Sequence, residues 1–300
     1  MIRVANAPCS WGVLEFATSR AEPVPFNQVL DEIRQTGYAG TELGDWGFMP
    51  TDPVRLQHEI AARNLELIGA FVPVALAMAE RHADGVATAI RTARLMRNAG
   101  ASRAFIVLAD DNASVPVREH NAGRIGPEHG LSESQWLAFA AGAELIARTV
   151  LDETGLRTVF HHHCGGYVET PTEVDELMGR TDPGRVGLVL DTGHAKYGGG
   201  DPVAILERHA SRVWHVHFKD CDRAVAGRAR AGGLGYLAAV RAQLFCELGR
   251  GSVDFAAVIA GLKRIVYDGW IVVEQDVFPG CGTPAESARR NREYLRGLGI

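Results

Sequence analysis

The chain has 300 residues, of which 46% are hydrophobic, and a formal net charge of −5. That composition supports a sizeable core and lacks the basic footprint of a nucleic-acid-binding protein, so no nucleic-acid partner is expected. Five scattered cysteines (Cys9, Cys164, Cys221, Cys246, Cys281) without CxxC spacing, no signal peptide and no membrane-spanning apolar run lead us to expect a soluble cytoplasmic protein with no membrane partner.

Strand and helix signals alternate in strict order. A first strand is expected over Arg3 to Cys9, then a loop from Ser10 and a helix from about Phe26 to Thr36. The run YAGTELG gives a strand ending at Glu42, with Gly37 closing the helix before it. A helix from Pro53 to Asn64, the strand LELIGAF, a helix from Gly85 to Ala99 and the strand RAFIVLA follow. The stretch from Asp110 to Gly130, with Arg118, Glu119 and His120, reads as a long loop, and loops of that length are more often functional than idle.

Beyond it come the helix Ser132 to Thr154, the strand Leu156 to His161, the helix Pro171 to Arg180 and the strand Val186 to Leu190. The helix Asp201 to His209 and the strand Val213 to Phe218 lead into a second long segment, Cys221 to Gly251. It reads as a loop with four arginines between Arg223 and Arg241, a lid that would bring cations to a polar or anionic substrate. The helix Val253 to Tyr267, the strand Trp270 to Glu274 and the helix Pro284 to Leu298 close the set. Eight strands alternating with eight main helices fit a closed (β/α)8 TIM barrel, one domain over residues 1–300, better than an open sheet. No GxGxxG or GxxxxGK[ST] follows any strand, which removes dinucleotide and P-loop readings.

Several strands end in ligand-type residues, and in such a barrel those ends share one rim. Asp191 follows GLVL, and a buried carboxylate there is costly unless paired, capping a helix or bound to a metal. His215 and His217 alternate on one strand and share a face; His217, nearer the tip, is the expected ligand, with His215 in support. Glu274 ends WIVVE in the same way. In HHH, His161 and His163 share a face while His162 points into the helix layer; His161, His163 or Glu169 completes the shell. We take His161 as the ligand, His163 as a proton-transfer residue and His194 as an acid or base. Glu42 and Trp11 are candidates for lining the pocket, Trp11 as a wall for a sugar ring; Asn6 and Ser10 are weaker ones.

With GTELG, HHHCGGYVET, LDTGHAKYGGGDP, RVWHVHFKD, GRGSVDF and YDGWIVVEQD in place, the chain resembles the xylose-isomerase-like barrels, and within them the inosose (2-keto-myo-inositol) dehydratases. The resemblance implies one divalent ion, Mn²⁺ or Co²⁺ first and Mg²⁺ or Zn²⁺ next, on Asp191, His217 and Glu274. A histidine stands where the family has a strand-five glutamate. It also implies a substrate contact at Arg223, with Lys219 and His215 beside it, a small polyol or sugar substrate, a role in inositol catabolism and a homo-oligomer. The activity implied is a metal-dependent hydro-lyase acting on a cyclic polyol ketone through a metal-stabilised enolate. His163 or Glu169 would be the base and His194 the acid. A metal-dependent ketose isomerase or epimerase is the alternative.

Overall fold

The computed structural model describes residues 1–13, 24–278, 280 and 282–300. The rest of the loop expected after the first strand, and Cys281, lie outside them. Eight parallel strands close into a barrel: β1 (Arg3–Asn6), β2 (Gly40–Glu42), β3 (Glu66–Pro73), β4 (Phe105–Ala109), β5 (Arg157–His161), β6 (Val186–Asp191), β7 (Val213–Phe218) and β8 (Trp270–Val273). They follow one another in chain order around the barrel, and β1 pairs with β8 to shut it.

The strands are short Val-, Ile- and Leu-rich runs because both of their faces are buried, one inside the barrel and one under helices. The eight expected helices are present, from Phe26–Gln35 to Pro284–Gly297. Their starts follow local chemistry. Asp52, Ser132, Thr170, Asp201 and Asp254 each accept a backbone N–H of the first turn, and Pro begins the helices at 53, 171, 202 and 284. Among the described residues, no helix is long and apolar enough to cross a membrane.

Three expectations change. The first strand stops at Asn6 because Pro8 has no N–H to give a neighbour; a 3-10 turn, Pro8–Trp11, replaces its end. The stretch 110–130 contains a helix, Pro116–Asn121, whose Arg118 is fully buried. Its guanidinium forks onto Glu173 (2.8 and 2.9 Å) and donates to the Gly166 carbonyl (2.8 Å), so it ties two rim loops together.

The third correction is the segment 221–251. It folds as two helices, Arg223–Ala231 and Tyr236–Arg241, beside a ribbon pairing Asp220–Cys221 with Phe245–Cys246. Val225, Ala226, Ala229, Tyr236 and Val240 recur at helical spacing and pack with Tyr197, Phe245 and Phe278 in a core of their own. Alanine and arginine are strong helix formers, and a composition that reads as loop-like makes a helical cap over the barrel mouth.

Candidate metal centre and active site

The barrel register decides what meets at the rim. Asp191 ends β6 opposite His217 of β7, His161 ends β5, and Glu274 follows β8 with its amide bonded to the Phe218 carbonyl (3.0 Å). One donor atom from each of these four buried residues lies within 4.8 Å of all the others. Asp191 Oδ2 is 3.5 Å from His161 Nε2 and 3.8 Å from His217 Nδ1, and Glu274 Oε2 is 3.3 Å from His217 Nδ1.

Asp191 caps a helix with one carboxylate oxygen and leaves the other over. Its Oδ1 accepts the His194 amide (2.8 Å) and caps the helix Thr192–Tyr197, while Oδ2 is buried with no hydrogen-bond donor among the described residues. Beneath the cluster, Glu42 Oε1 accepts from His215 Nε2 (2.7 Å) and His217 Nε2 (3.1 Å). Gly69 makes room for it, since a Cβ there would come within 2.7 Å of that oxygen. Burial alone would raise the Glu42 pKa, but the two imidazoles hold it at about 2. When Glu42 takes the Nε2 proton of His217, the Nδ1 lone pair faces two carboxylates. Burial pulls the His217 pKa down, yet Glu274 and Glu42 outweigh it and push it well up. The pocket attracts positive charge, and two imidazoles with two carboxylates form a donor set suited to a divalent transition ion, with Glu42 in the outer position that orients a ligating histidine.

Beside the cluster stand two histidines whose rings are 3.8 Å apart, His163 and His194. The peptide groups of Cys164 treat them oppositely. Its carbonyl, which can only accept, is 2.7 Å from His163 Nδ1, so that nitrogen carries the proton and Nε2 keeps its lone pair. Its amide, which can only donate, is 3.2 Å from His194 Nδ1, and the Lys219 ammonium, also only a donor, is 3.1 Å from His194 Nε2, so both ring nitrogens of His194 face donors. Burial lowers the pKa of both rings well below the ordinary histidine value, which keeps them neutral.

Lys219 is buried between these two groups. Its ammonium donates to both oxygens of Asp276 (2.9 Å each), lies 3.1 Å from Glu274 and 3.1 Å from His194 Nε2. Asp276 Oδ2 lies 3.9 Å from the same His194 nitrogen, beyond hydrogen-bond distance. The carboxylates around Lys219 overcome its burial and hold its pKa above the usual range. Tyr236, from the helical cap, places its hydroxyl 3.4 Å from His163 Nε2 and 3.3 Å from Asp276.

A cleft enclosing about 530 Å³, its open part included, lies above, lined by Glu42, Asp45, Phe71, His161, His163, His217, Lys219, Glu274 and Asp276 among others. Four expected participants stand apart from it. Trp11 is buried in the core and its indole N–H donates to Glu32 (2.6 Å), so it offers no wall to a ring. His215 sits under the site, against Phe105 and Glu42. Arg223 is exposed in the first turn of the cap helix that Asp222 starts. Glu169 spends its two oxygens on the amides of Gly123 (2.6 Å) and Gly165 (3.0 Å), and burial raises its pKa to about 7. His162 accepts the Asp191 amide (3.3 Å) on the neighbouring strand, where a place in the helix layer was expected. Ser10 is a tie between loops, accepting the Gln275 amide (3.1 Å). Asp276 and Tyr236 went unnoticed in the sequence. Asp276 had a signal, two residues beyond Glu274, whereas Tyr236 had none once its segment was taken for a loop.

A barrel of this topology with ligand-type residues on its last four strand ends defines a class, and a family model bears that out over residues 30–298: the chain belongs to the xylose isomerase-like TIM barrel family. It is 32% identical over 294 residues to an inosose dehydratase of Lacticaseibacillus casei, covering 98% of this chain and 96% of that one. It is 36% identical over 297 residues to the rhizopine catabolism protein MocC of Rhizobium meliloti, covering 98% and 87%. Among solved structures it resembles the IolI protein with a bound zinc atom (TM-score 0.71, 14% identity, 99% and 97% covered).

Proposed function

We propose that the protein is a divalent-metal-dependent hydro-lyase that removes water from a cyclic polyol ketone, with 2-keto-myo-inositol as the first candidate. Relatives named inosose dehydratase match nearly the whole chain, and the free cysteines fit the cytoplasmic setting expected for such an enzyme. His161, Asp191, His217 and Glu274 would hold the ion. A divalent ion held there supplies Lewis-acid polarisation of the substrate carbonyl, which makes the neighbouring C–H acidic.

The observation that carries the reading is a neutral histidine, His163, with its Nδ1 held by the Cys164 carbonyl, on the same cleft wall as the buried ammonium of Lys219. Elimination needs a base for the C–H proton and a donor for the departing hydroxyl. His163 lines the cleft, is neutral and keeps its Nε2 lone pair; it removes the proton. The departing hydroxyl takes its proton from the Lys219 ammonium, which lines the same side of the cleft and touches His194. Tyr236 steadies His163, and Asp276 holds Lys219.

The test is turnover of 2-keto-myo-inositol by metal-stripped protein with Mn²⁺, Co²⁺, Mg²⁺ or Zn²⁺ restored, following enone absorbance and product mass. Metal-dependent loss of one water is expected. Exchange of solvent deuterium into the substrate without loss of water would replace this reading with the isomerase or epimerase one.

A further inference from the structure

The β5–β8 side of the cleft is internally paired, and the opposite wall is not. Asp45 lines the cleft from the turn after β2, and among the described residues nothing donates to its carboxylate. Burial raises its pKa, and no cation or hydrogen bond offsets that. A part-buried carboxylate without a partner is a cost that the surrounding fold does not recover.

The turn is built to hold it there. Gly44 has φ +72°, and a Cβ on it would come within 3.2 Å of both Pro8 and Phe48. The Phe48 amide donates to the Asp45 carbonyl (3.0 Å), and the Leu43 amide donates to Gly69 (2.9 Å). On the next residue, the Trp46 ring is covered by the Arg91 guanidinium at 4.0 Å. Lys219 is the one cation lining the cleft among the described residues, and Asp276 and Glu274 already hold it.

We propose that Asp45 is the specificity-determining residue of the cleft: its carboxylate accepts hydrogen bonds from two neighbouring hydroxyl groups of the substrate, across the barrel from Asp191, and repels ligands bearing an anionic group. This inference rests on the polyol reading of the cleft. A charged acceptor for two hydroxyls suits a ring with adjacent alcohols, and an anionic group placed at Asp45 would meet a carboxylate with no cation paired to it among the described residues.

The test uses Mn²⁺-loaded wild type, D45N and D45A, with calorimetric titration of myo-inositol as a neutral probe and myo-inositol 1-phosphate as its anionic counterpart. Wild type should bind the neutral ring at least about tenfold more tightly than the phosphate. D45A should lose about tenfold or more for the neutral ring, and D45N should narrow the gap between the two ligands. Because the Asp45 carboxylate accepts no hydrogen bond among the described residues, D45N should melt at the same temperature as wild type or higher while binding more weakly, a combination that a structural residue would not give. Unchanged affinity for the neutral ring in D45A, or equal binding of the phosphate by wild type, would overturn the proposal. These are binding readouts. Absent turnover with Asp45-dependent binding intact would count against the dehydratase alone, and turnover without that dependence would count against this inference alone.

Discussion

The β5–β8 and β1–β4 halves of the rim face each other across one cleft and are built on different rules. On the first, every charged group meets another: Asp191, Glu274 and Asp276 share Lys219 and two histidines within 4 Å. On the second, the lining is Ala7, Pro8, Cys9, Val13, Gly44 and Phe71, with Glu42 reaching under the cluster and the Asp45 carboxylate without a donor among the described residues. Dense pairing fixes side chains and tautomers, which is what bond-breaking needs. A sparse wall leaves room for a substrate and one acceptor to orient it. Chemistry and recognition are thus assigned to opposite arcs of the same barrel.

Removing a residue from the dense half should cost most. Glu274→Ala and Asp191→Ala should abolish the rise in melting temperature that Mn²⁺ gives wild type and lower turnover by about 10³-fold or more, since Lewis-acid stabilisation amounts to several kcal/mol. Glu274→Ala is the cleaner variant, because Asp191→Ala also removes a helix cap, at about 1 kcal/mol. Metal-induced stabilisation that survives both variants would remove the metal from this cluster. Next, His163→Gln should lower turnover by about 10²- to 10⁴-fold while calorimetry shows metal affinity unchanged, because the loss is that of a base. Glu42→Gln probes the junction of the halves. It should weaken metal binding about 10- to 100-fold through His217, as outer partners of a ligand do. A loss as large as that of Glu274→Ala would make Glu42 part of the dense half.

The sequence was most legible where polarity contradicts burial. A carboxylate or histidine closing an apolar strand has few tolerable environments, so Asp191, His217, Glu274 and His161 stood out before any fold was drawn, and the register then brought them together. Trp11 as a ring wall and His215 as a substrate contact were misread because a strand's period gives a face and not a depth, while the supporting place expected for His215 is kept through Glu42. Trp11 lies past β1 in a turn that folds back on Glu32, and His215 is two residues too deep. Arg223 was placed by the family resemblance in a segment read as a loop; it is exposed in the first turn of the cap helix that Asp222 starts. The tautomer of His163 depends on one backbone carbonyl, and no spacing rule records where a carbonyl points.

The smallest predicted effect falls on the seam between the halves, where Glu169 joins the loop after β4 to the loop after β5 through the Gly123 and Gly165 amides. Burial lifts its pKa from 4.5 to about 7, despite those two donors and Arg118. Between these values the folded chain holds more protons than the unfolded one, so stability should fall as pH rises from 4.5 to 7. A shift of that size, which already includes the opposing effect of the two amides, corresponds to at most about 3 kcal/mol. Asp110, raised to about 6 by burial and accepting the Tyr167 amide (2.9 Å), contributes with the same sign on the same seam. Urea unfolding across this range should therefore show a shallower decline for Glu169→Gln than for wild type, and a shallower one still for Asp110→Asn/Glu169→Gln. The slope is the readout, because the amide substitution adds a pH-independent cost where its own N–H faces a backbone donor. Parallel pH profiles for wild type and the double variant would mean that both carboxylates ionise as freely in the folded chain as in the unfolded one. The seam would then be held by Arg118 and Glu173 alone.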